Sequence, residues 1–74
     1  MSKPVHEMLK LWRQAGGLTQ LALGAKLGRS ETYVNRKERG VRQVRPKEVV
    51  LWGRACEMPE EVIRRQVDLM TGLA

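Results

Sequence analysis

The stretch from residue 18 to residue 40 constrains the fold more than any other part of the chain. Thr19 suits the N-cap of a helix because its hydroxyl can accept a hydrogen bond from a free backbone N–H. Gly28 can take the left-handed backbone conformation that ends such a helix. Ser30 then offers a second N-cap, and Gly40 a second end. The pattern predicts two short helices that meet at a sharp turn.

The rest of the chain predicts three more helices and no strand. The first runs from about Pro4 to Ala15, because its apolar residues recur at helical spacing. Pro46 suits the first turn of a fourth helix. A fifth helix is predicted to start at Met58-Pro59-Glu60-Glu61, because proline fits a first turn and the two carboxylates favour the positive end of the helix dipole. No segment alternates apolar and polar residues over a useful length. We therefore expect an all-α, five-helix domain spanning residues 1–74. The apolar stripe of the first helix is Val5, Met8, Leu9 and Trp12.

Composition excludes several classes of protein. Cys56 is the one cysteine and His6 the one histidine, so neither a disulfide nor a zinc site is expected. No set of residues suits catalysis, and we expect neither an enzyme nor a cofactor. The apolar runs are too short to span a bilayer, and the N-terminus lacks the apolar core of a signal peptide. The expected location is the bacterial cytoplasm or nucleoid.

The positive charge lies in one segment. Residues 26–47 hold eight bases and two acids, a net charge of +6, while the remaining residues hold six of each. A surface that neutralises DNA phosphates needs such a cluster, although a charge run is also common on a solvated face. The second helix of the pair makes DNA binding the more specific interpretation of this basic cluster. Val34 points inward there, and four polar residues remain for the outside: Glu31, Thr32, Asn35 and Arg36.

Several positions share a wider pattern. Arg13 precedes Gly17-Leu18-Thr19-Gln20, followed by Leu23, Leu27-Gly28 and Ser30, and then by Val34 ahead of Glu38-Arg39-Gly40. In this order the residues resemble the phage repressor and Cro helix-turn-helix family, which includes the controller proteins of restriction-modification systems. The resemblance covers roughly residues 5–63. It implies five helices, of which the second and third form the motif, and a two-fold dimer on operator DNA.

The resemblance also implies roles for individual residues. Gln20 matches a glutamine that reaches a phosphate, although a polar residue in a first turn is common without any such role. The base-reading positions fall on Glu31, Thr32 and Arg36. Tyr33 and Asn35 are left open between a base and a phosphate. Further residues expected at the DNA surface are Arg29, Ser30, Arg39, Arg42 and Arg45. The long loop from Gly40 to Pro46 leaves open which arginine contacts phosphate.

Three departures from the family pattern carry expectations. Gly24 replaces the alanine usual where the two motif helices pack closest, which costs about 1 kcal/mol of helix propensity but leaves packing intact. Arg29 and Lys37 stand at positions that are often apolar in the family. We expect both to lay their stems on the protein and to send their charges toward DNA.

Two structural roles complete the resemblance. Arg13 and Glu38 match a largely buried salt bridge and are not expected to contact DNA. Residues 58–70 are expected to form the dimer contact, because their apolar stripe extends beyond the usual end of the family's globule. The expected dimer residues are Met58, Val62, Ile63, Val67 and Met70. Two alternatives stay open: Val62 and Ile63 can serve the domain's own core, and the last helix can fold back on its own domain.

Two functions follow from these observations. The first is a sequence-specific regulator of transcription, a repressor or controller, that binds a palindromic operator as a dimer. The alternative is a protein-binding module, such as an antitoxin or antiactivator, that has kept the fold. The basic cluster favours DNA, although an acidic protein could also bind it.

Overall fold

The computed structural model describes residues 3–72, which form five helices and no strand. The all-α prediction is therefore confirmed. The helices are α1 (Val5–Ala15), α2 (Gln20–Leu27), α3 (Glu31–Glu38), α4 (Pro46–Ala55) and α5 (Glu60–Thr71).

Side-chain caps and one glycine build the α2–α3 pair. The Thr19 hydroxyl accepts a hydrogen bond from the Ala22 N–H at 3.0 Å, and the Ser30 hydroxyl accepts one from the Tyr33 N–H at 3.1 Å. Gly28 has a φ of 67°, so it takes the left-handed conformation that the sequence predicts. Each helix therefore begins at a side-chain cap, and Gly28 sets the turn between them.

The crossing of α2 and α3 needs the glycine at position 24. A Cβ atom there would lie 2.8 Å from the Arg29 carbonyl oxygen and 3.0 Å from that of Ser30. Both neighbours are backbone atoms, which cannot move aside as a flexible side chain can. Gly24 thus permits the close packing of the two helices, as we expected, whereas the alanine usual in the family would require a shift of the backbone.

The core lies where the first four helices meet. Its largest fully buried side chains are those of Leu9, Leu23, Val34, Val49 and Trp52. The Trp52 indole N–H donates to the Leu9 carbonyl oxygen at 2.9 Å, which ties α4 to α1 and satisfies the indole inside the core.

Helix α5 packs on α4 through Ile63 and Gly53. A Cβ atom at Gly53 would lie 2.6 Å from Ile63 Cγ1, so the small residue permits the close approach. Ile63 is only 2% exposed and belongs to the core. Our assignment of Ile63 to a dimer surface is therefore corrected, because its side chain is used within the domain. The other four expected dimer residues are half-buried against the same core: Met58, Val62, Val67 and Met70.

The salt bridge implied by the resemblance is present. Arg13 Nε lies 2.6 Å from Glu38 Oε2, and the two side chains are 12% and 3% exposed. Arg13 also donates from Nη1 to the Leu18 carbonyl oxygen at 2.9 Å. The hydrogen bond to Glu38 raises the pKa of Arg13. This pair joins α1, the end of α3 and the turn between α1 and α2.

Candidate nucleic-acid interface

One side of α3 faces away from the protein. Glu31, Thr32 and Arg36 are exposed there, and Asn35 is half-buried beside them. Val34, Lys37 and Glu38 are the buried residues of the helix. The spacing of these two sets is that of a short helix with one packed face and one free face. The free face carries the hydrogen-bonding groups that can read base edges.

Exposed cations border this face. Arg29 lies in the turn before α3, Arg39 at its end, and Arg42 and Arg45 in the loop that leads to α4. A cleft of about 510 Å³ opens between α3 and the start of α4. Its exposed basic lining residues are Arg29, Arg42, Arg45 and Lys47. Ser30, also expected at this surface, is exposed and uses its hydroxyl to cap α3.

Lys37 does not join these exposed cations. It is 8% exposed, and its Nζ lies 2.8 Å from Glu48 Oε2 and donates to the Gln43 carbonyl oxygen at 2.6 Å. Our expectation that Lys37 sends its charge toward DNA is therefore wrong. A buried ammonium requires a partner, and α4 supplies one in Glu48. Arg29 is exposed, and its guanidinium carbon stands 5.1 Å from the centroid of the Tyr33 ring. That its charge faces DNA stays a prediction.

Tyr33 is held by the same Glu48 carboxylate that pairs with Lys37. Its hydroxyl donates to Glu48 Oε2 at 2.6 Å, and both the Arg29 guanidinium and the Lys37 ammonium lie over its ring, the ammonium at 5.5 Å from the ring centroid. Burial, together with the hydrogen bond to Glu48, raises the pKa of Tyr33 to about 12. The hydroxyl that the sequence leaves open between a base and a phosphate is thus engaged within the domain.

Glu48 organises this side of the interface, and sequence reasoning missed it. Besides Lys37 and Tyr33, its carboxylate accepts from the Arg45 N–H at 2.9 Å. Burial alone would raise the pKa of Glu48, but the hydrogen bonds from Lys37, Tyr33 and the Arg45 N–H outweigh burial and lower it. A signal was available: Glu48 stands three residues after the residue that precedes α4, the spacing at which a glutamate caps a helix.

Gln20 also lies differently from our expectation. Its Nε2 donates to Glu38 Oε1 at 3.1 Å, and its Oε1 faces Asn35 Nδ2 at 3.5 Å. The side chain therefore lies between the buried ion pair and the free face of α3. Through this contact, Gln20 of α2 touches Asn35 of α3.

With this geometry in place, comparison with known proteins gives one match. A family model described as a helix-turn-helix domain matches residues 7–66. The chain belongs to the helix-turn-helix domain family. No curated protein and no solved structure matches the chain. The matched residues include α2, α3 and the cations around them, which indicates a DNA-binding regulator.

Residues 3–72 lack the side-chain cluster of a metal site and the long apolar helix of a membrane span. Across residues 3–72, no three or more histidine, cysteine, aspartate or glutamate side chains cluster as metal ligands would. No helix in this range combines the length and the apolar character needed to cross a membrane. Cys56 is buried in the core, and burial raises the pKa of its thiol to about 11.

Proposed function

We propose that this helix-turn-helix protein is a repressor of the phage repressor and Cro type, which binds a palindromic operator as a dimer. The observation that carries this proposal is the free face of α3, with Glu31, Thr32 and Arg36 exposed between flanking arginines. Repression would follow from occupation of a promoter by the bound protein. We propose no catalytic activity and no cofactor.

The mechanism places α3 in the major groove. There Arg36 can donate two hydrogen bonds to guanine, Glu31 can accept one from cytosine, and the Thr32 methyl can contact that of thymine. The exposed arginines in the turn and in the loop before α4 would neutralise phosphates on either side of the groove and release their counterions. These phosphate contacts set the register of the helix, and α3 reads the sequence.

The experiment that tests this function is the selection of bound oligonucleotides from a random pool. We expect enrichment of a short palindrome, because a two-fold dimer reads two half-sites. Absence of any enriched sequence would overturn the proposal and favour the alternative, in which the basic surface binds an acidic protein.

The dimer contact would lie on α5. Leu69 is 51% exposed, and Val62, which is half-buried, stands seven residues earlier on the same side of the helix. A second copy of this chain would cover both. The need for two motifs supports this choice, since a lone motif rarely gathers enough contacts for specific binding. The two α3 helices would then stand about 34 to 36 Å apart, one turn of DNA.

Sedimentation at micromolar concentration tests the dimer. The wild type should sediment as a dimer, alone or on DNA, and Leu69→Asp should remain monomeric, since a charge would be buried at the contact. Leu11→Asp is the matched control, because Leu11 is 42% exposed on α1. A wild type that stays monomeric on DNA, or two variants that dimerise equally well, would exclude α5 as the interface.

A further inference from the structure

A row of hydrogen bonds runs from the buried ion pair to the free face of α3. Arg13 donates from Nε and Nη2 to the two carboxylate oxygens of Glu38, at 2.6 and 3.1 Å. Glu38 Oε1 also accepts from Gln20 Nε2 at 3.1 Å. Gln20 Oε1 in turn faces Asn35 Nδ2 at 3.5 Å. Four side chains on three helices are thus joined, and Asn35 is the one that lies beside the exposed residues of α3.

The direction of this row is fixed by chemistry. A carboxylate paired with an arginine has no proton to donate, so it can only accept hydrogen bonds. Gln20 must therefore turn its NH₂ group toward Glu38, which places its carbonyl oxygen on the side of Asn35. Asn35 can contact that oxygen only with its own NH₂ group. The orientation of both amides is therefore set by the charge of Glu38.

The consequence concerns what Asn35 offers to DNA. One Nδ2 hydrogen is directed at Gln20, which leaves the other N–H and the Oδ1 atom for a ligand. That donor and acceptor match N7 and N6 of adenine, the base that asparagine reads in the major groove. An amide already held in this orientation loses less conformational entropy when it binds.

We propose that Gln20 is a positioning residue that orients Asn35 to read adenine at one position of each half-site. The inference rests on the proposed DNA-binding function. In this inference Gln20 acts through Asn35 and does not contact a phosphate. The operator is expected to carry an adenine where Asn35 binds.

The test compares four forms of the full chain in selection from a random pool: the wild type, Asn35→Ala, Gln20→Met and Gln14→Met. Gln14 is an exposed glutamine on α1 and serves as the matched control. The wild type should enrich adenine at one position of each half-site. Asn35→Ala and Gln20→Met should both lose that preference, by about 5- to 150-fold against the other bases, and Gln14→Met should keep it.

The salt dependence of affinity separates positioning from phosphate binding. With Gln20→Met the slope of log affinity against log salt should match that of the wild type, because no phosphate contact is lost. A motif that keeps its adenine while affinity falls for all sequences and the slope flattens by about 0.9 would show that Gln20 contacts phosphate. A Gln20→Met motif identical to that of the wild type, with the slope unchanged, would also overturn the inference.

If Gln20→Met fails to fold, Gln20→Ala is tested instead, because alanine is a good helix former in the first turn of α2. Its result is interpreted in the same way. If the wild type enriches no sequence, the proposed function fails. If it enriches a sequence in which Asn35→Ala changes no position, the function stands and the inference fails.

Discussion

At the scale of single residues, two neighbours in α3 tie this helix to two different helices. Lys37 pairs with Glu48 of α4, and Glu38 pairs with Arg13 of α1. Both Lys37 and Glu38 lie in the last turn of α3, so these ion pairs anchor this turn to α4 and α1. The free face earlier in the helix is thereby presented in one orientation, which a base-reading surface needs.

Removal of one partner of the Arg13–Glu38 pair should destabilise the domain. Glu38→Ala leaves Arg13 as an uncompensated, largely buried charge, which costs about 3 to 5 kcal/mol. A domain this small has little stability to spare, so the melting temperature measured by circular dichroism should fall markedly. Glu31→Ala, which removes an exposed carboxylate from the same helix, should leave it nearly unchanged. An unaltered melting temperature for Glu38→Ala together with weaker DNA binding would contradict the structural role.

The lowered pKa of Glu48 predicts a loss of stability in acid. Because its folded pKa lies below the ordinary value of 4.5, the ionised carboxylate stabilises the fold above that value, and this contribution is lost as the pH falls through the folded pKa. Urea unfolding followed by tryptophan fluorescence at several pH values would measure this loss. Glu48→Gln should be less stable at neutral pH and should depend less on pH below 4.5. Parallel pH profiles for the two proteins would refute the assignment.

Replacement of different arginines in the proposed interface should have different effects on DNA affinity and base preference. Arg36→Ala should cost about 1 to 3 kcal/mol and relax the preference at one base position. Arg42→Ala or Arg45→Ala should weaken all sequences alike and flatten the salt slope by about one unit. Affinity measured on the selected operator and on single-base variants of it separates these outcomes. If Arg36→Ala behaves as the loop variants do, Arg36 is a phosphate contact.

At the scale of elements, the α2–α3 pair could be predicted because its signals are local. Thr19, Gly28 and Ser30 act on backbone groups within a few residues, so their effect can be read along the chain. The burial of Lys37 could not be predicted in this way. It depends on Glu48, a residue of the next helix, and on how α3 and α4 approach each other. The same holds for Gln20, whose partners Asn35 and Glu38 are brought to it by tertiary packing.

The α2–α3 crossing makes a prediction of its own. Gly24→Ala would gain about 1 kcal/mol of helix propensity, but its Cβ would lie 2.8 Å from the Arg29 carbonyl oxygen. The steric term should win, because two backbone segments would have to separate, and the variant should unfold at lower urea concentration than the wild type. Ala25→Gly, at an exposed position of the same helix, measures propensity alone. A Gly24→Ala protein more stable than the wild type would show that the crossing tolerates the extra carbon.

At the scale of the whole molecule, charge and shape favour the same surface. The net charge of +6 resides in residues 26–47, and most of those bases are exposed around the free face of α3. Lys37 is an exception, since Glu48 neutralises it. A field of this kind attracts DNA before any base is read and speeds association. The apolar residues of α5, the helix proposed to form the dimer contact, divide between the domain's own core and its surface.

The most direct test of the central claim is the affinity of the wild type for DNA as a function of salt. If α3 and its flanking arginines bind the double helix, log affinity should fall linearly with log salt, with a slope of about −0.9 for each phosphate neutralised. The selected palindrome should bind more tightly than a random duplex at every salt concentration. A flat salt response, with equal affinity for both duplexes, would contradict DNA recognition by this surface.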